Sequence, residues 1–185
     1  HPIMLGSQAM NDVWLMRKNG LGLMTTVKGD RKPVPFIEDA ALPLEALPEY
    51  IREIEALCLR HDRPVALYAH ASVGLIHVRP MLNMHLPEDI EQLKQIQEEA
   101  FELVIRLKGS WSGEHGDGIV RGGFNRRFFG DQLYEAFREL KRLFDPEGLM
   151  NPGKIVDTPS VDSHLRYGYG YTQQFHDRVY QYRED

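Results

Sequence analysis

The chain has 185 residues, of which 42% are hydrophobic and 26% charged, and its formal net charge is −5. This length and apolar fraction predict one domain with a buried core. The acidic balance argues against a nucleic-acid partner, because such partners are held by neutralising phosphates. The single cysteine, Cys58, excludes an internal disulfide, and we expect it to be a small buried hydrophobic residue of a helix.

The first half of the chain combines irregular segments with one predicted helix and one predicted hairpin. Residues 1–16 are apolar without a regular pattern, and residues 17–36 alternate glycine with basic and β-prone residues, which is typical of turns with one or two strands. Apolar residues at helical spacing predict a helix over about 46–61. Two short β-like runs, 65–70 and 74–79, flank a small turn and predict a hairpin.

The second half begins with a predicted helix over about 88–108, which Gly109 ends. Residues 110–123 contain five glycines, too many for a helix, and this freedom of the backbone indicates a functional loop. A further helix is predicted over 131–144, and beyond its end turn residues lead into a segment of little periodicity. Its apolar stripe, which we expect to face inward, is Leu133, Phe137, Leu140 and Phe144. Helices that alternate with antiparallel strand pairs favour an α+β fold.

The predicted hairpin, "YAHASVGLIHVRP", contains two histidines seven positions apart. A two-residue turn at residues 73–74 would place His70 directly opposite His77, with Cβ atoms about 4.5–5.5 Å apart. Two imidazoles at that spacing can bind one metal ion. The same register would place Tyr68 opposite Arg79. Another loop length would shift the register and could put the histidines on opposite faces.

The glycine-rich loop, "SGEHGDG", offers a carboxylate and a third imidazole. Glu114 would complete a metal site of two histidines and one carboxylate, and His115 would point elsewhere and act as a base. The alternative is that the histidines are satisfied core or surface residues, because their spacing is not a specific metal signature. The loop is one residue off a dinucleotide-binding pattern, but no βαβ unit surrounds it.

Three motifs occur in order along the chain: "HASVGLIHVRP", "SGEHGDG" and "FDPEGLMNPGKI". Together they resemble the C-terminal substrate domain of FAD-linked oxidases in the vanillyl-alcohol oxidase superfamily, in the branch of D-lactate, glycolate and D-2-hydroxyglutarate dehydrogenases. The resemblance covers roughly residues 10–156. The form "HVRP", with "VPFIEDAALP" upstream, is most similar to the large bacterial subtype that is fused to an iron–sulfur domain.

The resemblance implies a ferredoxin-like antiparallel sheet covered by helices over residues 1–156. Residues 157–185 would form an irregular C-terminal tail or linker. The FAD-binding domain would precede residue 1 and is absent from this chain. We expect the full-length protein to be cytoplasmic, with peripheral association to the inner membrane as an alternative.

The resemblance also assigns roles to residues at matching positions. His70, His77 and Glu114 match the ligands of a divalent metal such as Zn or Mn in the hydroxyglutarate branch. His115 matches the catalytic base beside the flavin. Asn151 matches a turn that packs toward the flavin ring and would contribute to cofactor binding.

Arginines are the candidates for binding the substrate carboxylate. Arg17, in "WLMRK", resembles the family's carboxylate-binding arginine, and Arg121 is a further candidate for the same role. Arg79 stands where the hydroxyglutarate branch has an asparagine, and "SVGL" replaces the usual G-D-G-N of the hairpin turn. An arginine at this position offers a bidentate fork for the substrate carboxylate, or for the second carboxylate of a dicarboxylic acid. A structural pairing of Arg79 with an acid is the alternative.

The function that the resemblance implies is FAD-dependent oxidation of a D-2-hydroxy acid of the lactate, glycolate or 2-hydroxyglutarate type, by hydride transfer to flavin. This chain would supply the substrate site and the base, and it would be inactive alone because most of the flavin site is missing. Expected partners are the FAD-binding domain of the same full-length chain and an iron–sulfur domain with 4Fe–4S clusters, or another electron-transfer partner. A metal-dependent hydrolase and a non-enzymatic assembly domain are the other classes left open.

Overall fold

The computed structural model of the chain describes residues 6–172. The helices and strands are, in chain order, α1 (Ser7–Thr25), β1 (Lys32–Pro33), β2 (Glu38–Ala41), α2 (Leu47–Arg60), β3 (Val65–His70), β4 (Leu75–Leu82), α3 (Pro87–Arg106), α4 (Asn125–Phe129) and α5 (Asp131–Phe144). Short 3₁₀ turns lie at Leu44–Ala46, Ala71–Val73 and Gly122–Phe124. Within residues 6–172, none of the helices is both long and apolar enough to span a bilayer.

The sheet is antiparallel and is built around β4, which pairs with the other three strands. Side chains alternate between the two faces of a strand. Ile76 and Val78 of β4 therefore share one face and belong to the hydrophobic core, whereas His77 and Arg79 share the other face. The predicted α+β fold, with helices covering an antiparallel sheet, is confirmed.

The core lies between the sheet and helices α2 and α3, whose apolar stripes supply much of it. Ile54 and Cys58 of α2 and Ile96 of α3 are each fully buried. Both helices carry proline in the first turn, where the missing N–H would have no partner within the helix. The predicted helices over 46–61 and 88–108 are confirmed, as is the burial of Cys58. Burial raises the pKa of the Cys58 thiol to about 12.

The expectation of an irregular N-terminal segment was wrong. Helix α1 covers most of residues 1–16 and the first half of residues 17–36, which were expected to form turns and strands. In the second half of 17–36, β1 is a strand of two residues. Gly20 and Gly22 lowered the apparent helix propensity, since each glycine in a helix costs about 1 kcal/mol relative to alanine. Met10, Val13, Trp14 and Arg17 nevertheless follow one another at spacings of three, one and three residues, which places them along one helical stripe.

The hairpin of β3 and β4 has a longer turn than the two residues predicted. A 3₁₀ turn followed by Gly74 joins the strands, and Tyr68, not His70, pairs with His77. The register is shifted by two residues, and because side chains alternate with a period of two, both histidines remain on one face. Gly74 has a φ of 74°, and a Cβ built on it would lie 2.0 Å from the carbonyl oxygen of Leu42.

Helix α5 is confirmed over Asp131–Phe144, but its apolar stripe does not face inward. Leu133 is 45% exposed, Leu140 55% and Phe144 71%. Residues 157–172 contain no helix or strand, as predicted for the tail, and residues 173–185 lie outside the described part of the chain.

Candidate functional site

Three imidazoles converge on the face of β4 that is turned away from the core. The ring centroids of His70 and His77 are 5.3 Å apart, and those of His77 and His115 are 5.2 Å apart. His77 is almost fully buried, whereas the side chains of His70 and His115 are 46% and 42% exposed. The fold therefore brings together the two hairpin histidines and the histidine of the glycine-rich loop, with one side accessible to solvent.

The predicted ligand set of His70, His77 and Glu114 is assembled. Glu114 Oε2 lies 3.5 Å from His70 Nε2 and 3.5 Å from His77 Nε2. The three candidate ligand atoms all lie within 4.8 Å of one another. Two imidazoles and a carboxylate are ligands that Zn²⁺ accepts, and three protein ligands leave a fourth position for a substrate oxygen. The residues therefore fit a divalent cation, although its binding stays a prediction.

Glu38 is a site residue that was missed in the sequence. Its Oε1 lies 3.5 Å from His77 Nδ1 and 3.3 Å from His115 Nδ1, so these three residues form a second candidate ligand set. Arg79 Nη2, however, donates a hydrogen bond to the same oxygen at 2.8 Å. A guanidinium there repels a cation, so the set of His70, His77 and Glu114 is the better candidate for the metal.

Arg79, Tyr68 and Arg17 form a connected group beside the histidines. Arg79 Nη2 also donates to Tyr68 Oη at 3.1 Å, and the Tyr68 ring stacks on His77 with centroids 4.3 Å apart. The Arg17 guanidinium, from α1, lies 4.6 Å from the centroid of the Tyr68 ring. Within residues 6–172, Arg79 Nη1 has no hydrogen-bond partner. Arg79 is thus paired with an acid through Nη2, and its side chain is 13% exposed. Its role in binding a substrate carboxylate stays a prediction.

A cleft of about 640 Å³ separates α1 from the end of β3. It is lined by Val13, Trp14, Arg17, Lys18, Ala69, His70, Ala71 and Ser72. The cleft combines an apolar wall from α1 with two cationic side chains and one of the candidate metal ligands. A small carboxylic acid bound there would be within reach of both an arginine and His70.

The glycine-rich loop is held by Asp39, the residue after Glu38. Asp39 Oδ2 accepts hydrogen bonds from the backbone N–H groups of Glu114 and His115, both at 2.6 Å. Burial raises the pKa of Asp39, but the bond from His115 N–H and the charge of Arg121 outweigh it, so the pKa lies below its ordinary value. Asp39 therefore fixes the backbone from which a candidate ligand and the candidate base project.

Arg121 is placed by the structure inside the protein rather than at the cleft. It is 3% exposed, and its guanidinium pairs with Asp39 and donates to the backbone carbonyls of Trp111 and Gly116. Its other hydrogen bonds go to the hydroxyl of Ser112 in the loop and to the carbonyl of Ile37, just before β2. This position gives Arg121 a structural part in holding the loop and does not bring it to a substrate carboxylate.

The structure does not bring Asn151 together with the histidines. It lies in an exposed turn after α5 and has a φ of 49°. Asp145 organises this turn by accepting hydrogen bonds from the N–H groups of Leu149 and Met150 at 2.8 and 2.9 Å. The role of Asn151 in cofactor binding stays a prediction.

The surroundings of His77 favour its neutral form. Burial lowers its pKa, and this effect exceeds the opposing influence of the carboxylates of Glu38 and Glu114. A neutral imidazole is the form that binds a metal ion. His77 therefore meets both the geometric and the electrostatic requirement for a ligand.

The comparisons with known proteins identify related sequences. The chain is 41% identical over 143 residues to D-2-hydroxyglutarate dehydrogenase of Haemophilus influenzae, a match that covers 77% of this chain and 14% of that protein. It is 31% identical over 145 residues to glycolate oxidase subunit GlcD of Escherichia coli, covering 78% of this chain and 28% of the relative. It is 32% identical over 129 residues to D-lactate dehydrogenase of Archaeoglobus fulgidus, covering 70% and 28%.

The chain thus spans about one seventh of the length of the hydroxyglutarate dehydrogenase it matches. The profile of one protein family, described as the C-terminal domain of FAD linked oxidases, matches residues 4–155. These residues include β1 to β4, the glycine-rich loop and all the residues of the candidate site described above. The match covers most of the chain, which therefore belongs to the FAD linked oxidases and represents their C-terminal domain.

Proposed function

We propose that this chain is the substrate and catalytic-base domain of a FAD-dependent enzyme that oxidises a D-2-hydroxy acid. One observation carries the proposal: the candidate base His115 lies next to the candidate ligand set of His70, His77 and Glu114 on one accessible face. The relatives' names give hydroxyglutarate, glycolate and lactate, which are all 2-hydroxy acids and share a carboxylate, a hydroxyl and a Cα–H.

The residues divide the tasks of this reaction. His70, His77 and Glu114 would hold the divalent cation, which lowers the cost of ionising the substrate hydroxyl. His115 accepts the hydroxyl proton, and its Nε2 lies 3.7 Å from the nearer oxygen of Glu114, beside the proposed position of the substrate. FAD, when bound by the rest of the full-length protein, supplies the acceptor for the hydride.

Arginines orient the substrate carboxylate in the cleft next to α1. Arg17 lines the cleft with His70, and Arg79 lies against the same Tyr68 ring as Arg17, with its guanidinium carbon 5.4 Å from the ring centroid. Two cationic contacts fix the acid so that its hydroxyl faces the ligand set, which is a positioning effect. The apolar wall around Trp14 accommodates the rest of the acid.

The alternatives are less well supported. A metal-dependent hydrolase needs no flavin, and an assembly domain needs neither a neutral buried His77 nor a carboxylate facing two imidazoles. Membership in a FAD-linked family favours redox chemistry over both. We also propose that the remaining length of the full protein carries the FAD-binding domain and an electron-transfer part of the iron–sulfur type.

The test of the proposed function is the variant His115→Asn in the full-length protein. Flavin content should stay intact, and turnover with a D-2-hydroxy acid should fall by about 10²–10⁴-fold, the range expected for loss of a general base. Flavin absorbance and steady-state kinetics measure the two quantities. The matched control is His61→Asn, which should leave turnover unchanged. His61 lies away from the cluster and contacts Glu99, with Nε2 and Oε1 2.7 Å apart. Near-normal turnover of the His115 variant would remove it from the role of base.

A further inference from the structure

Glu38 has features that a simple ion pair with Arg79 does not explain. It is 7% exposed, opens β2 and has a φ of 45°, in the left-handed region that non-glycine residues rarely adopt. Strained backbone of this kind persists where the surrounding structure fixes it and is concentrated at functional sites. From this position the carboxylate contacts two imidazoles at once, those of His77 and His115.

Two unpaired atoms in this contact add a second observation. Glu38 Oε2 and His77 Nδ1 are both buried without a hydrogen-bond partner, although their residues approach within 3.5 Å. Buried polar atoms are almost always hydrogen-bonded. A small rotation of the carboxylate would let His77 Nδ1 donate a hydrogen bond to Glu38 Oε2. One hydrogen bond would then satisfy both buried atoms.

The protonation pattern of the two histidines follows from the partners of Glu38. Arg79 is a donor only, so Glu38 Oε1 acts as an acceptor toward its Nη2 at 2.8 Å. Glu114 faces Nε2 of the same two rings, at 3.5 and 3.7 Å, but its side chain is 45% exposed, so water or the proposed cation can satisfy it. The buried carboxylate of Glu38 has no such alternative and favours hydrogen on the imidazole nitrogens that face it. These are His77 Nδ1 and His115 Nδ1.

We propose that Glu38 is a positioning residue that fixes both His77 and His115 in the tautomer with hydrogen on Nδ1. The lone pair of each ring is then on Nε2. In His77 this nitrogen faces Glu114 and the proposed cation, and in His115 it faces the proposed substrate. One carboxylate thus prepares a ligand and a base together. A partner on the far nitrogen of a metal-binding histidine fixes its tautomer and orients its ring.

This inference rests on the proposed function for the roles of Nε2, but its central statement can be tested without activity. In the metal-free full-length protein with ¹⁵N-labelled histidine, magic-angle-spinning NMR distinguishes the two neutral tautomers. Signals that disappear in His77→Asn and His115→Asn identify the two residues. We expect the Nδ1–H tautomer for both in the unaltered protein, and its loss at one or both in Glu38→Gln, whose amide can offer a donor. Finding Nε2–H at both positions would overturn the inference.

A second measurement uses Zn²⁺ alone, in competition with a chromophoric chelator. The affinity of Glu38→Gln should fall by about 10–100-fold, the usual effect of removing the partner of a metal-binding histidine. The control is Asp89→Asn, which also breaks a buried carboxylate–arginine pair, to Arg63 at 2.6 Å, but away from the histidines. It should lower the melting temperature without changing Zn²⁺ affinity. If both variants only lower the melting temperature, Glu38 is merely structural.

Kinetics separate this inference from the proposed function. If the unaltered protein oxidises no 2-hydroxy acid, the proposed function fails, while the tautomer spectra still decide the role of Glu38. If it does oxidise one, Glu38→Gln should lower kcat, because the base His115 is no longer held with its lone pair on Nε2. An unchanged kcat with unchanged spectra would refute the inference and leave the proposed function standing.

Discussion

Asp39 adjoins Glu38 in β2, but its carboxylate is used for the backbone of the glycine-rich loop. Three backbone N–H groups, those of Gly113, Glu114 and His115, donate to a single oxygen at 3.2, 2.6 and 2.6 Å. The other oxygen pairs with the buried Arg121. At the scale of single residues, the positions of the candidate ligand Glu114 and the candidate base His115 are thus set by a carboxylate that binds their backbone.

We expect Asp39→Asn to destabilise the protein by about 3–5 kcal/mol, because it leaves the charge of Arg121 buried without its partner. The amide of the variant also has one acceptor oxygen, whereas both carboxylate oxygens of Asp39 accept hydrogen bonds. Urea unfolding measures the change, and Zn²⁺ affinity should fall with it as the loop loosens. The control is Glu147→Gln, at an exposed position, which should change stability by less than about 0.5 kcal/mol. A loss no larger than the control would show that the loop does not depend on this carboxylate.

The same variant has a pH signature. Since the folded-state pKa of Asp39 lies below its ordinary value, its stabilisation is present above the unfolded-state pKa of about 3.9 and is lost as the pH falls through the lower folded-state value. The stability difference between the unaltered protein and Asp39→Asn should therefore be constant from neutral pH to about pH 5. It should shrink below about pH 4. A difference that grew on acidification would contradict the sign.

At the scale of elements, the hairpin shows what periodicity can and cannot determine. The alternation of side chains in β3 and β4 was sufficient to place His70 and His77 on one face. The predicted strand register was wrong by two residues, and a shift of two leaves each side chain on its predicted face. The turn itself depends on Gly74, whose close approach to Leu42 is a tertiary contact. A contact between residues far apart in the chain leaves no local periodic signal.

Helix α1 and Glu38 escaped prediction for related reasons. The α1 helix contains two glycines and is largely exposed, so neither propensity nor a buried stripe indicated it. Glu38 lies in "FIEDAALP", where a glutamate before a buried strand looks like a surface residue. Its proposed role depends on a positive φ and on partners in two other segments, His77 and Arg79 of β4 and His115 of the glycine-rich loop, which are close to it only in the fold. The motif histidines, by contrast, were found because they stand in short local sequence motifs that resemble those of a known family.

The close approach of Gly74 to Leu42 can be tested with Gly74→Ala. An alanine in the left-handed region costs about 1–2 kcal/mol, and here its Cβ would also meet the carbonyl of Leu42 at 2.0 Å. Gly29→Ala is a matched control, since Gly29 has a φ of 83° and nothing within 4 Å of the added Cβ. Urea unfolding should show the larger loss for Gly74→Ala, because the control has the φ cost alone. Equal losses would show that the approach to Leu42 is relieved without cost.

At the scale of the whole molecule, the candidate metal site is local to this chain, whereas we propose that the flavin is held mainly by another part of the full-length protein. All three candidate ligands come from β3, β4 and the glycine-rich loop, which rest on the core formed with α2 and α3. The apolar side chains of α1 and α5 are instead largely exposed, among them Trp14 at 67% and Phe144 at 71%. The chain also spans only 14% of its hydroxyglutarate dehydrogenase relative. Metal binding and flavin binding should therefore separate when the protein is divided.

We expect the 185-residue chain alone to bind one Zn²⁺ with nearly the affinity of the full-length protein, and to oxidise no 2-hydroxy acid. In the full-length protein, a chelator should abolish turnover without releasing FAD, and Zn²⁺ or Mn²⁺ should restore it, because the cation and the flavin are held by different parts. Elemental analysis, flavin absorbance and turnover measure these quantities. His70→Ala should lose the metal in both forms, whereas His61→Ala should keep it. Full activity in metal-free protein would leave His70 and His77 as hydrogen-bonding partners of the substrate and would assign proton removal to His115 without help from a cation.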